Sequence, residues 1–485
     1  MYCGIDLGTT NIKVAIYNHD FQLIDRESLR VEYIRENSFV EFDAMLYAQA
    51  LVQLMEKIIS RNGVKHICQI TLTGQAETLV VLGKDGVPLI NAISWMDERS
   101  IDECEKLSKI FAPDVCEAVT GQRAVLPTWP ATKVLWLKKH CPEVFAEVDT
   151  YMLLKDYVVY YLTGVKTADM SIATFSFYFD IYNKRYWKDM LEAIGITEAQ
   201  LPTLSEPCTV AGCTLPEVTN QLGLDSAAAI NIGTLDHFAG MVGTGNVCRG
   251  GLTLSTGTVT ALAVQCQECV PKGAGIAMHY GFVPNTYIAL PVMESGGVSL
   301  EWFRRNCIES INYDQINKAL ASRKSSDLLF LPYIVGTNAP EFDGNATGVF
   351  WGLRQKHDAI DMAGAIMEGV AYALQKNCLH IIANGIEVSY IIATGGGSKS
   401  PIWCQMYADI TGIPVCVPAE NEAACLGAAI ISAVADGRFG SFKDAADNVV
   451  TFKYRYEPRF SAHYRKKYRR FCKLYDAALE ISGIG

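Results

Sequence analysis

The chain has 485 residues, half of them hydrophobic and 19% charged, with a formal net charge of −10. That balance excludes a disordered chain, a collagen-like chain and a low-complexity scaffold, and it makes nucleic acid a poor partner. At roughly 150 residues per domain, the length predicts two or three domains.

The first residues carry neither a basic n-region nor an apolar h-region, so no signal peptide is expected. The longest apolar run, residues 423–435, is too short to span a bilayer. A cytosolic protein with no membrane partner is the expectation. The 16 cysteines lie singly along the chain, which excludes a disulfide scaffold. Cys266 and Cys269 form one C-x-x-C pair, and with Cys248 and His279 nearby a zinc site is conceivable. No second pair supports it, and core or surface thiols are the alternative.

In chain order, Cys3 to Tyr17 reads as two apolar strands around the small-residue tip Gly8-Thr9-Thr10. A helix is predicted over residues 44–62, then a strand from Ile67 to Gly74 running into a loop. Helical patterns follow at residues 131–139 and 149–162. Residues 226–247 read as a strand ending near Ile232, a loop Gly233-Thr234-Leu235-Asp236, and a small-residue helix from His237. The opening layout then recurs: Gly251 to Val264 is again two apolar strands, around the tip Ser255-Thr256-Gly257-Thr258. Two copies of one unit, each opening about half the chain, predict two similar domains. The boundaries are set at residues 1–247 and 248–445, with a tail at 446–485. From Lys453 the tail holds nine Lys or Arg against three acids. Tyr464, Tyr468, Phe471 and Tyr475 fall at helical spacing, so it reads as a packed surface helix with a solvated outer face.

Polyphosphate binding needs backbone N–H groups at close range, and Ser or Thr hydroxyls add donors. Both hairpin tips offer this, through Thr9 and Thr10 and through Thr256, Gly257 and Thr258. Lys13 adds charge beside the first tip. Asp6, at the strand end, suits a hydrated Mg²⁺. A third cluster, Thr394-Gly395-Gly396-Gly397-Ser398, ends a strand and precedes a helix start at Ser400-Pro401. Strand, glycine turn and helix N-terminus is a nucleotide-binding arrangement. Neither a Rossmann G-x-G-x-x-G nor a Walker motif is present, which argues against common dehydrogenases and P-loop kinases.

These motifs, in order and over nearly the whole chain, resemble the FGGY carbohydrate kinases of the actin, Hsp70 and hexokinase superfamily. Gly4-Ile5-Asp6-Leu7-Gly8-Thr9-Thr10 is similar to the superfamily's first phosphate motif. Gly348-Val349-Phe350-Trp351-Gly352-Leu353, continuing through Asp361 to Glu368, fits the family signature. Thr394 to Pro401 resembles the adenosine motif, and Glu422 to Ala429 the small-residue helix closing the second domain.

The resemblance implies an α/β chain of two actin-like (ribonuclease H-like) domains, each a mixed five-stranded sheet with flanking helices, around an interdomain cleft. It implies ATP and Mg²⁺ as cofactors, with ATP mainly on the second domain at Thr256, Gly257, Thr258, Gly396, Gly397 and Ser400. A small sugar or polyol is implied as the partner, mainly on the first domain, and family members are often dimeric. Asp236 occupies the position of the family's catalytic Asp; a plain helix cap is the alternative reading of that residue alone. His237 beside it is a candidate for a bond to substrate.

The pocket loop, Gln75-Ala76-Glu77, departs from recognised members. Glycerol kinases carry Arg-Glu where Ala76-Glu77 stand, and xylulose kinases carry Met-His. Trp95-Met96-Asp97-Glu98-Arg99 matches the family's Trp-x-Asp-x-Arg, with Trp95 as a pocket wall and Asp97 as a hydroxyl acceptor. Glu294 is read either as facing the cleft or as capping the helix after it. The competing function is a non-metabolic ATP switch or sugar sensor built on the same fold.

Overall fold

The structure is a computed structural model that describes residues 1–482 apart from Thr258, Pro271, Lys272, Ser295 and Asn421. The chain packs as two compact units. The first comprises Met1–Val247, Ala277–Ile288 and Glu420–Val450; the second comprises Cys248–Ile276, Ala289–Ala419 and Thr451–Gly485. Among the described residues, no helix is long and apolar enough to cross a membrane.

The first unit opens with the expected hairpin, β1 (Tyr2–Leu7) and β2 (Asn11–Tyr17), extended by β3 (Leu23–Arg30). The antiparallel register sets Asp6 directly opposite Lys13. Helix α1 (Ala44–Arg61) is capped by Asp43, whose carboxylate accepts from the N–H groups of Met45 and Leu46. Its residues Leu51, Met55 and Ile58, one turn apart, are buried in the core beside Ile5 and Leu72. Strand β4 (Gln69–Gly74) lies parallel to β1.

The helical reading of residues 149–162 is corrected at its start. Thr150–Leu153 is a buried strand, and only then does α2 (Leu154–Thr163) begin. Four buried residues in a row suit a covered strand as well as a helix. Strand β5 (Val210–Cys213) pairs antiparallel with β6 (Ala229–Leu235), which runs parallel to β4. The sheet order is β5-β6-β4-β1-β2-β3, so this mixed sheet has six strands where five are expected. The extra strand, β5, sits at an edge with none of its residues buried, so it lacks the apolar alternation that marks a strand in a sequence. Helix α3 (Asp236–Gly243) starts directly at the end of β6.

The second unit repeats the plan. Strands β7 (Gly250–Thr256) and β8 (Thr260–Cys266) form the second hairpin, paired antiparallel around its tip as β1 and β2 are. Helices α4 (Gly297–Cys307), α5 (Tyr313–Ala321) and α6 (Ala359–Ala383) precede β9 (Val388–Gly395), which lies parallel to β7 as β4 does to β1. Helix α7 (Pro401–Thr411) starts where Ser400 accepts from the Trp403 N–H, with Pro401 in its first turn. Strand β10 (Val415–Pro418) is parallel to β9.

The chain then returns to the first unit. Helix α8 (Ala423–Ala435) is placed by the sequence reading in the second domain, yet it packs in the first unit against β1 and α3. The contact is backbone on backbone. A Cβ at Gly427 would lie 1.8 Å from the Ala239 carbonyl oxygen, one at Gly243 1.9 Å from that of Ala423, and one at Gly4 2.2 Å from that of Cys425. Only glycine permits so close an approach. Strand β11 (Phe452–Tyr456) then pairs antiparallel with β10. The tail forms α9 (Ala462–Ser482), with Phe471 and Tyr475 buried as the stripe predicts.

The cysteine cluster acquires no metal-like geometry. Among the described residues no group of three or more His, Cys, Asp and Glu is placed to hold an ion. Cys266 is buried in β8, where burial pushes its thiol up to about 11. His279 belongs to the first unit, stacked on Phe175 at 4.2 Å.

Candidate active site

Three neighbouring parallel strands of the first unit end level with one another. Leu7 of β1 pairs with Gly74 of β4, and Gly74 pairs with Leu235 of β6. Each strand therefore delivers its next residues to the same edge: the Gly8 tip, the Gln75-Ala76-Glu77 loop and Asp236. Carboxyl ends of parallel strands are where α/β sheets hold their ligands.

Asp6 is buried, and its Oδ1 has no hydrogen-bond partner. Burial, then the neighbouring charge of Asp236, pushes its carboxyl up to about 7, while Lys13 opposes the rise. Lys13 lies 3.8 Å from Asp6 and 2.9 Å from Glu422, the residue before α8. An orphaned buried carboxylate oxygen beside a second carboxylate fits a divalent cation, which would replace the missing counter-charge.

Asp236 is partly buried as the first residue of α3, and its Oδ1 accepts from the His237 N–H at 2.6 Å. His237 itself is exposed. Thr9 is held at both ends: its hydroxyl accepts from the Trp95 indole N–H at 2.9 Å, and its carbonyl accepts from the Tyr33 hydroxyl at 2.8 Å. Thr10 is exposed at the hairpin tip.

In the pocket loop, Gln75 is buried. Its Oε1 accepts from the Thr78 hydroxyl at 3.0 Å, and its Nε2 has no partner. An unpaired buried amide donor is free to meet a ligand oxygen. Ala76 contributes no polar side-chain atom. Glu77 adopts φ 68°, uncommon for a residue with a side chain. Burial raises its carboxyl above the usual range and Asp236 adds to this, while Lys133 opposes it. Lys133 is fully buried and donates to the carbonyls of Ser94 at 2.7 Å and Thr128 at 2.9 Å. Burial lowers its ammonium, and Glu77 counters that.

Asp97 is brought near but is already engaged. Its oxygens accept from the Val40 N–H at 2.6 Å, the Arg99 N–H at 3.0 Å, and the Arg99 guanidinium at 2.8 and 2.7 Å. Arg99 also pairs with Glu41 and lies over Phe39, 4.1 Å from the ring centre. Asp97 thus already accepts four bonds from the protein, while Trp95 is held by the hydroxyls of Thr78 and Thr9.

The second unit holds a cavity of about 700 Å³ lined by Thr256, Gly257, Gly297, Gly396, Gly397, Ser400, Trp403 and Tyr313, among others. Thr258 lies outside the described residues. Thr256 carries a buried hydroxyl with no partner. The glycines make room: a Cβ at Gly297 would lie 2.6 Å from the Gly257 carbonyl, and one at Gly397 2.7 Å from Thr256 Cγ2. Ser400 caps α7 and donates to Asn317 at 2.6 Å, so its hydroxyl is spent on the wall of this cavity. Among the described residues Glu294 accepts a long bond from Asn338, 3.5 Å, and the cap position of α4 is Gly296, without a side-chain bond.

Sequence reasoning missed Tyr33, Lys133, Glu422 and Asn317. Lys133 stands inside an apolar helix pattern, the one signal that could have marked it. The other three carry no local sign of their partners.

Models of the FGGY family of carbohydrate kinases match twice, the N-terminal domain at residues 1–243 and the C-terminal domain at 252–435. The chain is 28% identical to a xylulose kinase of Staphylococcus epidermidis, covering 98% of this chain and 95% of the relative. It is 27% identical to a gluconokinase of Bacillus licheniformis, covering 97% and 94%. A solved structure described as a xyloylose kinase from Brucella ovis superposes with a TM-score of 0.92 at 26% identity, over 99% of each chain.

Proposed function

The chain belongs to the FGGY family of carbohydrate kinases and is a phosphotransferase, and from that premise we propose that it transfers the γ-phosphoryl of ATP to a hydroxyl of a neutral linear sugar or polyol, a ketose such as a pentulose, with Asp236 as general base. The observation that carries this reading is the level ending of β1, β4 and β6, which gathers Asp6, Gln75, Glu77 and Asp236 at one edge.

Phosphoryl transfer asks a protein for positioning, charge neutralisation and a base. Asp236, at the N-terminus of α3, accepts the proton of the attacking hydroxyl. Gln75 Nε2 donates to a sugar oxygen, and Glu77 accepts from sugar hydroxyls. Trp95 walls the pocket, and its bond to Thr9 orients a hydroxyl of the phosphate loop. Asp6 is the residue to hold Mg²⁺, which when bound neutralises charge on the phosphoryl oxygens. The adenosine would occupy the cavity between Gly257, Gly396, Gly397 and Trp403. The neutral acceptor follows from charge. Glu77 and Asp236 set two acids against the single buried cation Lys133, so an aldonate such as gluconate would add a third negative charge. The difference from the Met-His of xylulose kinases concerns which hydroxyls are matched.

The test is ATP turnover against linear tetroses to heptoses, ketoses, polyols, glycerol and gluconate. At least a hundredfold stimulation by one neutral ketose or polyol is expected. Sugar-independent turnover would instead support an ATP switch, and a preference for gluconate would overturn the neutral acceptor. Glu77→Gln is expected to raise KM for the preferred sugar about ten- to a hundredfold, with a smaller change in kcat, since a hydrogen bond to a charged group contributes ~1.5–3 kcal/mol. Gly397→Val is expected to raise KM for ATP about tenfold or more through the clash with Thr256, leaving KM for sugar in place.

A further inference from the structure

Strand β6 does not run straight to Asp236. Its register against β4 shifts between Asn231, opposite Thr71, and Thr234, opposite Thr73, so that Ile232 and Gly233 together face Leu72. This is a bulge in the strand that ends at Asp236. Gly233 has φ 60°, and a Cβ there would lie 1.9 Å from the Leu72 carbonyl oxygen.

A bulge breaks ladder bonds, and here side chains and one backbone N–H from outside β4 replace them. The Ile232 carbonyl accepts from the ammonium of Lys155 in α2. The Gly233 N–H donates to Asn231 Oδ1 at 2.8 Å, and the Gly233 carbonyl accepts from the Cys208 N–H at 2.7 Å. The Thr234 carbonyl accepts from the Thr73 hydroxyl at 2.8 Å. The Thr234 and Ser171 hydroxyls bond each other at 2.7 Å. Lys155 and Ser171 converge on one carboxylate: Asp169 pairs with Lys155 at 3.0 Å and accepts from the Ser171 hydroxyl at 2.8 Å. Lys155, Asp169 and Ser171 are each fully buried.

A buried ion pair is weak evidence for stability, and a hydrophobic replacement often serves as well. What it supplies here is a fixed point. We propose that Lys155 and Asp169 are positioning residues for Asp236: through the Ile232 carbonyl and, by way of Ser171, the Thr234 hydroxyl, they hold the bulge that aims the carboxylate at the attacking hydroxyl. Misplacement of a reacting group by about 1 Å can cost on the order of a hundredfold in rate. The inference rests on Asp236 being the base.

The test is a double-mutant cycle of Lys155→Met with Asp236→Asn in the full-length protein, reading kcat and KM for the best sugar and ATP. Lys155→Met alone is expected to lower kcat about ten- to a hundredfold while KM for sugar changes less than about threefold. On the Asp236→Asn background the same change is expected to cost less than about twofold, because the group it positions is already disabled. Equal losses on both backgrounds, or an unchanged kcat, would overturn the inference. Near wild-type turnover in Asp236→Asn alone would instead remove the base. If Lys155→Met does not fold, Ser171→Ala keeps both members of the ion pair and removes the hydroxyl that joins Asp169 to Thr234. A several-fold loss of kcat that vanishes on the Asp236→Asn background supports the inference, and an unchanged kcat overturns it.

Discussion

Asp236→Asn is expected to fold normally and to lose roughly 10²–10⁴-fold in kcat with the best sugar. The amide matches the carboxylate in size, and its oxygen still accepts from the His237 N–H that Asp236 Oδ1 holds at 2.6 Å. The start of α3 therefore keeps its bond. What the amide loses is basicity, so it cannot take the hydroxyl proton as the phosphoryl moves. The residual rate comes from positioning and charge neutralisation by the rest of the site. KM for sugar should change little, in contrast to Glu77→Gln, whose effect lies mainly in binding. Single-turnover transfer from labelled ATP, together with a thermal melt, checks both parts. Near wild-type transfer would show that the attacking hydroxyl needs no base from this residue.

The residues gathered at the candidate site can be picked out in the sequence because they sit where the chain turns. Gly8, Gln75 and Asp236 each follow an apolar strand, and turn chemistry after a strand can be read without partners. The repeated hairpin was legible for the same reason, since β7 and β9 reproduce the pairing of β1 and β4. What escaped depends on residues far apart in sequence. The assignment of α8 to the first unit hangs on Gly4, Gly243 and Gly427 approaching foreign backbone. The bulge at Gly233 reads as a loop in sequence, because the side chains that complete its hydrogen bonds come from residues 73, 155 and 171. Asp97 looks like a free acceptor until Val40 and Arg99 are seen around it. A carboxylate's type is written in the sequence; whether it is already spent is a matter of tertiary packing.

The tail presents the reverse case, a charge that looks solvated and is not. Lys467 is one of the nine cations after residue 452, yet it is 2% exposed. Its ammonium pairs with Glu368 of α6, also 2% exposed, and donates to the Ser326 carbonyl at 2.8 Å and the Ser325 hydroxyl at 3.3 Å. Around it, Phe471 and Tyr475 pack against Tyr372 and Tyr333. Lys467→Met is expected to destabilise the second unit by about 3–5 kcal/mol, because it leaves the Glu368 carboxylate buried and unpaired. Adding Glu368→Met should recover most of that loss, since the pair then leaves no charge behind. Lys466, next to it and exposed, sets the baseline: Lys466→Met should stay within about 0.5 kcal/mol. Urea unfolding of the three variants measures the difference. If Lys467→Met behaved like Lys466→Met, the tail would be no more than the solvated face its composition suggests, and α9 would not be tied into the unit through this charge.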